Sequence, residues 1–227
     1  MRKQLLLFIA VVVLGALAVT GCGLLSEPAA PSSELEAAPV EVEEPTSSAG
    51  ATVYTIDPAS SEVRFELNEV LRGEPKTVVG TTDQVAGEIA VDLGDLSSTQ
   101  VGAIQVNARG LSTDNNFRNR AINNEILNTG DFEFITFEPT AVSGLSGSAV
   151  VGDTFEFTVS GDLTIRDITQ PVTFNVTATA VSDSQIEGTA SAVVQRADYN
   201  LQIPSVPSVA DVEEEVELYI DFAANAS

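Results

Sequence analysis

Two consecutive runs in this chain alternate strictly between apolar and polar side chains. In the first, Phe155, Phe157, Val159, Gly161, Leu163 and Ile165 hold the odd positions, with Glu156, Thr158, Ser160, Asp162 and Thr164 between them. In the second, Val172, Phe174, Val176, Ala178 and Ala180 hold the even positions. A period of two is the repeat of an extended strand, whose successive side chains point to opposite faces. Arg166-Asp167 stands between the runs and reads as a turn. The segment is therefore a β-hairpin with one apolar face and one wet face. Such a face either packs a solid core or lines a hole that holds something else.

The same repeat recurs on both sides of the hairpin. Val63, Phe65 and Leu67 alternate with Arg64, Glu66 and Asn68, and Ile104 and Val106 share a face, as do Ile89 and Val91. "FEFITFEP" is an aromatic strand closed by Pro139, and Val216, Leu218, Ile220 and Phe222 alternate with Glu215, Glu217, Tyr219 and Asp221. About eight short strands separated by Gly, Asp, Pro and Ser predict an all-β fold, an antiparallel sandwich or barrel. One segment breaks the pattern. In "STDNNFRNRAINNEILNTGD", Phe117, Ala121, Ile122, Ile126 and Leu127 have helical spacing. Asp114 or Asn115 can cap its start and Gly130 can stop it. This predicts a short inserted helix that plugs one end of a barrel or forms a lid over its mouth.

Composition removes several functions. The formal net charge is −23, and a protein that displaces counterions from nucleic-acid phosphates needs a basic surface, so no nucleic-acid partner is expected. The charge suits the solubility of an exported protein. Histidine is absent, which excludes histidine nucleophile pairs, histidine general bases and histidine metal ligands. The one cysteine, Cys22, excludes an intrachain disulfide and a thiolate cluster. The acids Asp211, Glu213, Glu214, Glu215 and Glu217 do not have calcium-loop spacing and read as a solvated strand edge. An enzyme here would depend on carboxylates, Tyr, Lys or Arg, and no acid pair can be placed together from sequence. The expectation is a protein without catalytic residues, metal or cofactor.

The first residues read as an address. Arg2 and Lys3 precede an apolar run from Leu5 to Val19, and Val19-Thr20-Gly21-Cys22 follows. This is the layout of a secretory signal, and its end resembles the bacterial lipobox. The reading gives residues 1–21 as a lipoprotein signal peptide and Cys22 as the lipidation site. Residues 22–51 are then a flexible acidic linker rich in Pro, Ala, Glu and Ser, and residues 52–227 the folded domain. The product is expected to be exported and lipid-anchored to the outer face of a bacterial membrane.

Within the folded part, "VGTTDQVAGEIAVD", "LSTDNNFRNRAINNEIL", "FEFITFEP", "SGDLTIRDITQPVTFNV", "QRADYNLQIP" and "VADVEEEVELYIDF" follow one another. This order resembles the YceI-like family over residues 52 to 224. The most specific piece is Gly-Asp-Leu-Thr-Ile-x-x-x-Thr-x-Pro-Val, from Gly161 to Val172; the stretch from Thr113 to Asn119 comes next. The sequence departs from the common pattern where Asn119 follows Arg118 and where Ile122 stands near the usual His-Leu. The resemblance implies a lipocalin-like antiparallel barrel that binds a polyisoprenoid, a quinone or another long-chain lipid. On that reading Phe65, Leu67, Ile104, Val106, Phe117, Ile122, Phe134, Phe155, Phe157, Leu163 and Phe174 line the ligand. Gly161, Ala178 and Ala180 leave room for it, and Arg118 and Arg120 contact an acidic headgroup or pair with surface acids such as Asp114 and Glu125. The alternative is a non-catalytic structural or interaction module with a filled core and a functional acidic surface.

Overall fold

The alternating runs form the hairpin they predict. Residues 154–165 and 168–182 pair antiparallel, with Leu163 opposite Gln170 and Phe157 opposite Val176. Arg166 takes the left-handed backbone position at the turn (φ 60°). The structure, a computed structural model, describes residues 27–32, 35 and 50–227. The signal segment, Cys22 and most of the linker lie outside the described residues.

In chain order the strands are β1 (Thr52–Ile56), β2 (Glu62–Leu71), β3 (Glu74–Thr82), β4 (Val85–Ala86), β5 (Glu88–Val91), β6 (Gln100–Val101) and β7 (Ile104–Asn107). A helix, α1 (Asn116–Ala121), precedes β8 (Phe134–Ser143), β9 (Thr154–Ile165), β10 (Ile168–Ser182), β11 (Gln185–Gln195), β12 (Val209–Ala210) and β13 (Glu215–Ala226). All of them belong to one 13-stranded antiparallel sheet, in which β3, β2, β13, β11, β10, β9, β8 and β7 are successive neighbours. The sequence pattern anticipates all of these except β3, whose residues 74–77 fall in a segment that reads as a loop; β4, β6 and β12 are two-residue additions. The sheet curls until β3 meets the chain beyond β7, where Thr81 and Ser112 exchange backbone hydrogen bonds of 2.9 and 3.0 Å. Residues 217–221 of β13 pair with β2, and residues 224–226 of the same strand pair with β1.

Alternation sets what faces inward. Val159, Leu163, Ile165, Phe174 and Val176 are buried, along with Tyr54, Val85 and Phe222. The outward face carries polar ladders, for example Arg64 bonded to Glu66 at 2.7 Å and to Asp221 at 2.9 Å. Gly161 corrects one expectation. A Cβ there would stand 2.4 Å from the carbonyl oxygen of Glu138 and 2.8 Å from the ring of Phe137. The missing side chain thus makes way for β8, at the bulge between Pro139 and Ala141, and leaves no interior room. Ala178 and Ala180 do border a cavity. Gly161→Ala is therefore expected to destabilise the fold by about 1–3 kcal/mol through overpacking. An unchanged urea midpoint would refute the close approach.

The inserted segment is helical from Asn116 to Ile126, the span its apolar spacing predicts. Asn115, not Asp114, is the cap: its side chain accepts from the backbone N–H groups of Phe117 and Arg118 at 2.9 and 3.2 Å. After α1 the chain widens into a π turn over Ile122–Ile126. The stop is Asn128, which adopts φ 48°, rather than Gly130. Asparagine tolerates that conformation, and the Asn128 side chain donates to Asp131 at 2.9 Å.

Part of the linker rests on the barrel. Ser32 donates from its backbone and hydroxyl to Glu133 at 2.7 and 2.6 Å, and Arg109 donates to the Ala30 carbonyl at 3.3 Å. Burial alone would raise the Glu133 carboxyl. The hydrogen bonds from Ser32 and Asn107 and the charge of Arg109 outweigh it and hold the group below the usual carboxylate range.

Candidate functional site: two apolar cavities inside the barrel

The interior is not solid. A cavity of about 580 Å³ lies beside α1, and a second of about 100 Å³ lies elsewhere in the barrel. Strand register separates them. Along β9, Phe155, Phe157 and Val159 border the small cavity and Ile165 the large one. Along β11, Ile186 and Ala190 border the small cavity and Val194 the large one. On β13 the order reverses with strand direction: Val216 and Leu218 border the large cavity, Ile220 and Phe222 the small one. Leu163 on β9 and Ala192 on β11 fall between these groups, and they and Val106 on β7 are buried in the core and border neither cavity. They form a packed belt between two chambers.

The expected lining residues divide accordingly. Phe65, Leu67, Phe117 and Ile122 border the large cavity. Ile104, Phe155, Phe157 and Phe174 border the small one, where Phe174 meets Phe137 edge-on at 4.9 Å. Three of the expected lining residues, Val106, Leu163 and Phe134, border neither cavity. Val106 and Leu163 belong to the belt, because they meet other side chains rather than space. Phe134 borders neither cavity, because its neighbour Ile135 takes the inward position on β8. Phe117 is 70% exposed, so it sits at a rim rather than in a wall.

The arginines also divide. Arg118 borders the large cavity, but its guanidinium is bonded to Glu69 at 2.7 Å and to Asp114 at 2.6 Å. Glu69 is 7% exposed. Asp114 is further bonded to Lys76 at 2.8 Å, and these two cations hold its carboxyl below the usual range. Arg120 does not border the cavity; its guanidinium lies 6.0 Å from the Phe117 ring centre, in cation–π range. The headgroup role expected of Arg120 is thus not supported by its position, and Arg118 is already paired.

Sequence reasoning missed a whole wall. Leu201, Ile203, Pro204, Val206, Val209 and Val212 border the large cavity from the segment between β11 and β13. Arg196 holds that segment in place. Its guanidinium donates to the carbonyls of Glu213 (2.7 Å), Leu201 (3.2 Å) and Val212 (3.2 Å), and to the Glu214 carboxylate (2.8 Å). The available signal was the alternation of Leu201 and Ile203 ahead of Pro204 and Pro207, since proline keeps a chain extended. Tyr199 was missed too. It borders the large cavity, and its buried hydroxyl has no hydrogen-bond partner in the protein.

An enclosure of this kind holds an apolar molecule, gaining about 25 cal/mol for each Å² of apolar surface taken from water. Among the described residues, no group of three or more His, Cys, Asp or Glu side chains could hold a metal ion.

Comparison with known proteins agrees with this architecture. A solved structure named as a polyisoprenoid binding domain from Saccharophagus degradans superposes with a TM-score of 0.61 at 14% identity, covering 78% of this chain and 99% of that one. BcnA of Burkholderia cenocepacia superposes with a TM-score of 0.58 at 16% identity, covering 75% of this chain and 99% of its own. At these identities the likeness is one of fold. In sequence, the UPF0312 protein SAB2563 of Staphylococcus aureus is 29% identical over 138 residues, which is 60% of this chain and 71% of that protein. The profile of the YceI-like domain matches residues 54–224, from within β1 to within β13, and the chain belongs to the YceI-like family.

Proposed function

We propose that this chain is a lipid-binding protein whose barrel holds a polyisoprenoid, a quinone or another long-chain lipid, and which Cys22 tethers to the outer face of a bacterial membrane. The observation that carries the reading is the apolar cavity of about 580 Å³ bounded by β2, α1, β11, β13 and the 201–212 segment. The polyisoprenoid binding described for the Saccharophagus degradans domain supports the ligand class. Affinity drawn from apolar burial needs no reacting group, so the protein works as a carrier or sequestering module and not as a catalyst. The tether rests on the Val-Thr-Gly-Cys sequence at residues 19–22.

One paired preparation tests both parts. The native chain is expected in the membrane fraction of the producing bacterium, and Cys22→Ser in the soluble exported fraction. Native mass spectrometry of each, followed by organic extraction, should show a stoichiometric apolar adduct. A clean apo mass that does not change on incubation with polyprenols or quinones would overturn the binding reading and favour a filled interaction module. Membrane retention of Cys22→Ser would overturn the tether.

A further inference from the structure

The seat that receives the linker is built into one end of the barrel. Glu133, which accepts both donors of Ser32, is held by Asn107 at 2.8 Å and by Arg109 at 2.8 Å. Arg109 is fixed in turn by the carbonyls of Thr129 and Gly130 and donates to that of Ala30. This is the α1 end, since nearby Leu111 and Ile135 border the large cavity. The domain begins at the opposite end. There Gly50 lies beside Asp92, whose neighbours Val91 and Leu93 border the small cavity. The seat therefore changes which end an anchor at Cys22 holds near a bilayer. Cys22 stands eight residues before Ala30, a reach of at most ~28 Å, whereas Gly50 is 28 residues from Cys22, a reach of up to ~100 Å.

The α1 end also carries a surface that suits lipid. Phe117 is the most exposed large apolar side chain among the described residues, and the Arg120 guanidinium lies over its ring. Every Lys and Arg of residues 52–227 except Arg64 lies at this end, where they offset its acids. Arg72, exposed at the turn after β2, and Arg120 form no salt bridge among the described residues. The opposite end carries Asp92, Asp95, Asp153 and Asp183 and no Lys or Arg. A chain with a net charge of −23 approaches anionic headgroups best through the end that holds its cations. We propose that the α1 end is the face that meets anionic phospholipid headgroups, with Phe117 entering the interface and Arg72 and Arg120 contacting phosphates, and that the seated linker keeps this end toward the bilayer. The inference rests on the Cys22 tether and deepens it.

The test uses the full chain with one added cysteine, Asn116→Cys on α1 or Ser184→Cys at the opposite end. Each is purified from the membranes of the producing bacterium, labelled with a fluorophore and reconstituted in vesicles of phosphatidylethanolamine and phosphatidylglycerol. Spin-labelled headgroups quench a fluorophore held close to them. Strong quenching is expected at position 116 and little at position 184. Arg72→Gln and Arg120→Gln should each lower the ratio of docked to undocked barrels about fivefold, the effect of one cation near an anionic surface. Phe117→Ser should lower it as well. Ser32→Pro removes both donors to Glu133 and should bring the two positions toward equal quenching. Equal quenching of the two positions in the otherwise native chain, or stronger quenching at position 184, overturns the orientation. A Ser32→Pro chain that keeps the native difference overturns the part given to the linker. Absence of the parent chain from the membrane fraction overturns the tether itself.

Discussion

Arg196→Met is expected to lower the unfolding free energy by about 3–5 kcal/mol, because hydrogen bonds from a charged donor to three carbonyls, about 1–3 kcal/mol each, are lost together. The methionine keeps most of the side-chain volume but donates nothing. The carbonyls of Leu201, Val212 and Glu213 then lose their donor together. They can regain partners only by turning to water, which takes residues 201–214 off the barrel. That segment supplies Leu201, Ile203, Val206 and Val212 to the larger cavity. The variant should therefore show faster amide exchange confined to residues 201–214 and weaker lipid retention, alongside the lower urea midpoint. Exchange at the wild-type rate would mean that the prolines and apolar contacts hold this wall without the arginine.

Arg118→Met is the second large expected effect, again about 3–5 kcal/mol. Arg118 is the cation bonded to Glu69, a carboxylate with 7% exposure. Removing the cation leaves that acid in an apolar wall without its charge partner. Its other bond, to Asp114, is exposed and close in sequence and contributes little. The two contributions separate in a double-variant cycle. Glu69→Gln combined with Arg118→Met should recover most of the lost stability, because the uncompensated charge is gone. If the double variant is as unstable as Arg118→Met alone, the arginine acts through packing of α1 rather than through charge.

How much of this was legible in the sequence differs from element to element. The hairpin from Phe155 to Ala180 was fully legible, because a two-residue period has one structural meaning. Phe65 and Leu67 were legible as inward residues for the same reason. Alternation says which side a residue faces but not what it meets there, so Val106 and Leu163 were indistinguishable from true lining residues. Phe134 was misread because Phe134 and Ile135 are both apolar and the parity of that strand was ambiguous. The stop of the helical segment was placed on Gly130 by the usual preference for glycine, whereas Asn128 takes the left-handed position. In the 201–212 wall only Leu201 and Ile203 alternate before the prolines interrupt the period, and the unpartnered hydroxyl of Tyr199 exists only in three dimensions.

The pairing of β13 bears on how the chain reaches this structure. One strand near the C-terminus has β11 on one side and both β1 and β2 on the other. Tyr54 sits opposite Ala226, and Val63 opposite Ile220. Those contacts join residues far apart in sequence, and the loop-closure entropy must be met before they stabilise anything. The first strands of the domain wait for the last, so closure is a late, non-local event and the domain falls among the slow-folding β topologies. Until β13 arrives, β1 and β2 lack a neighbour on that side, and the unfinished barrel presents open strand edges to whatever lies nearby.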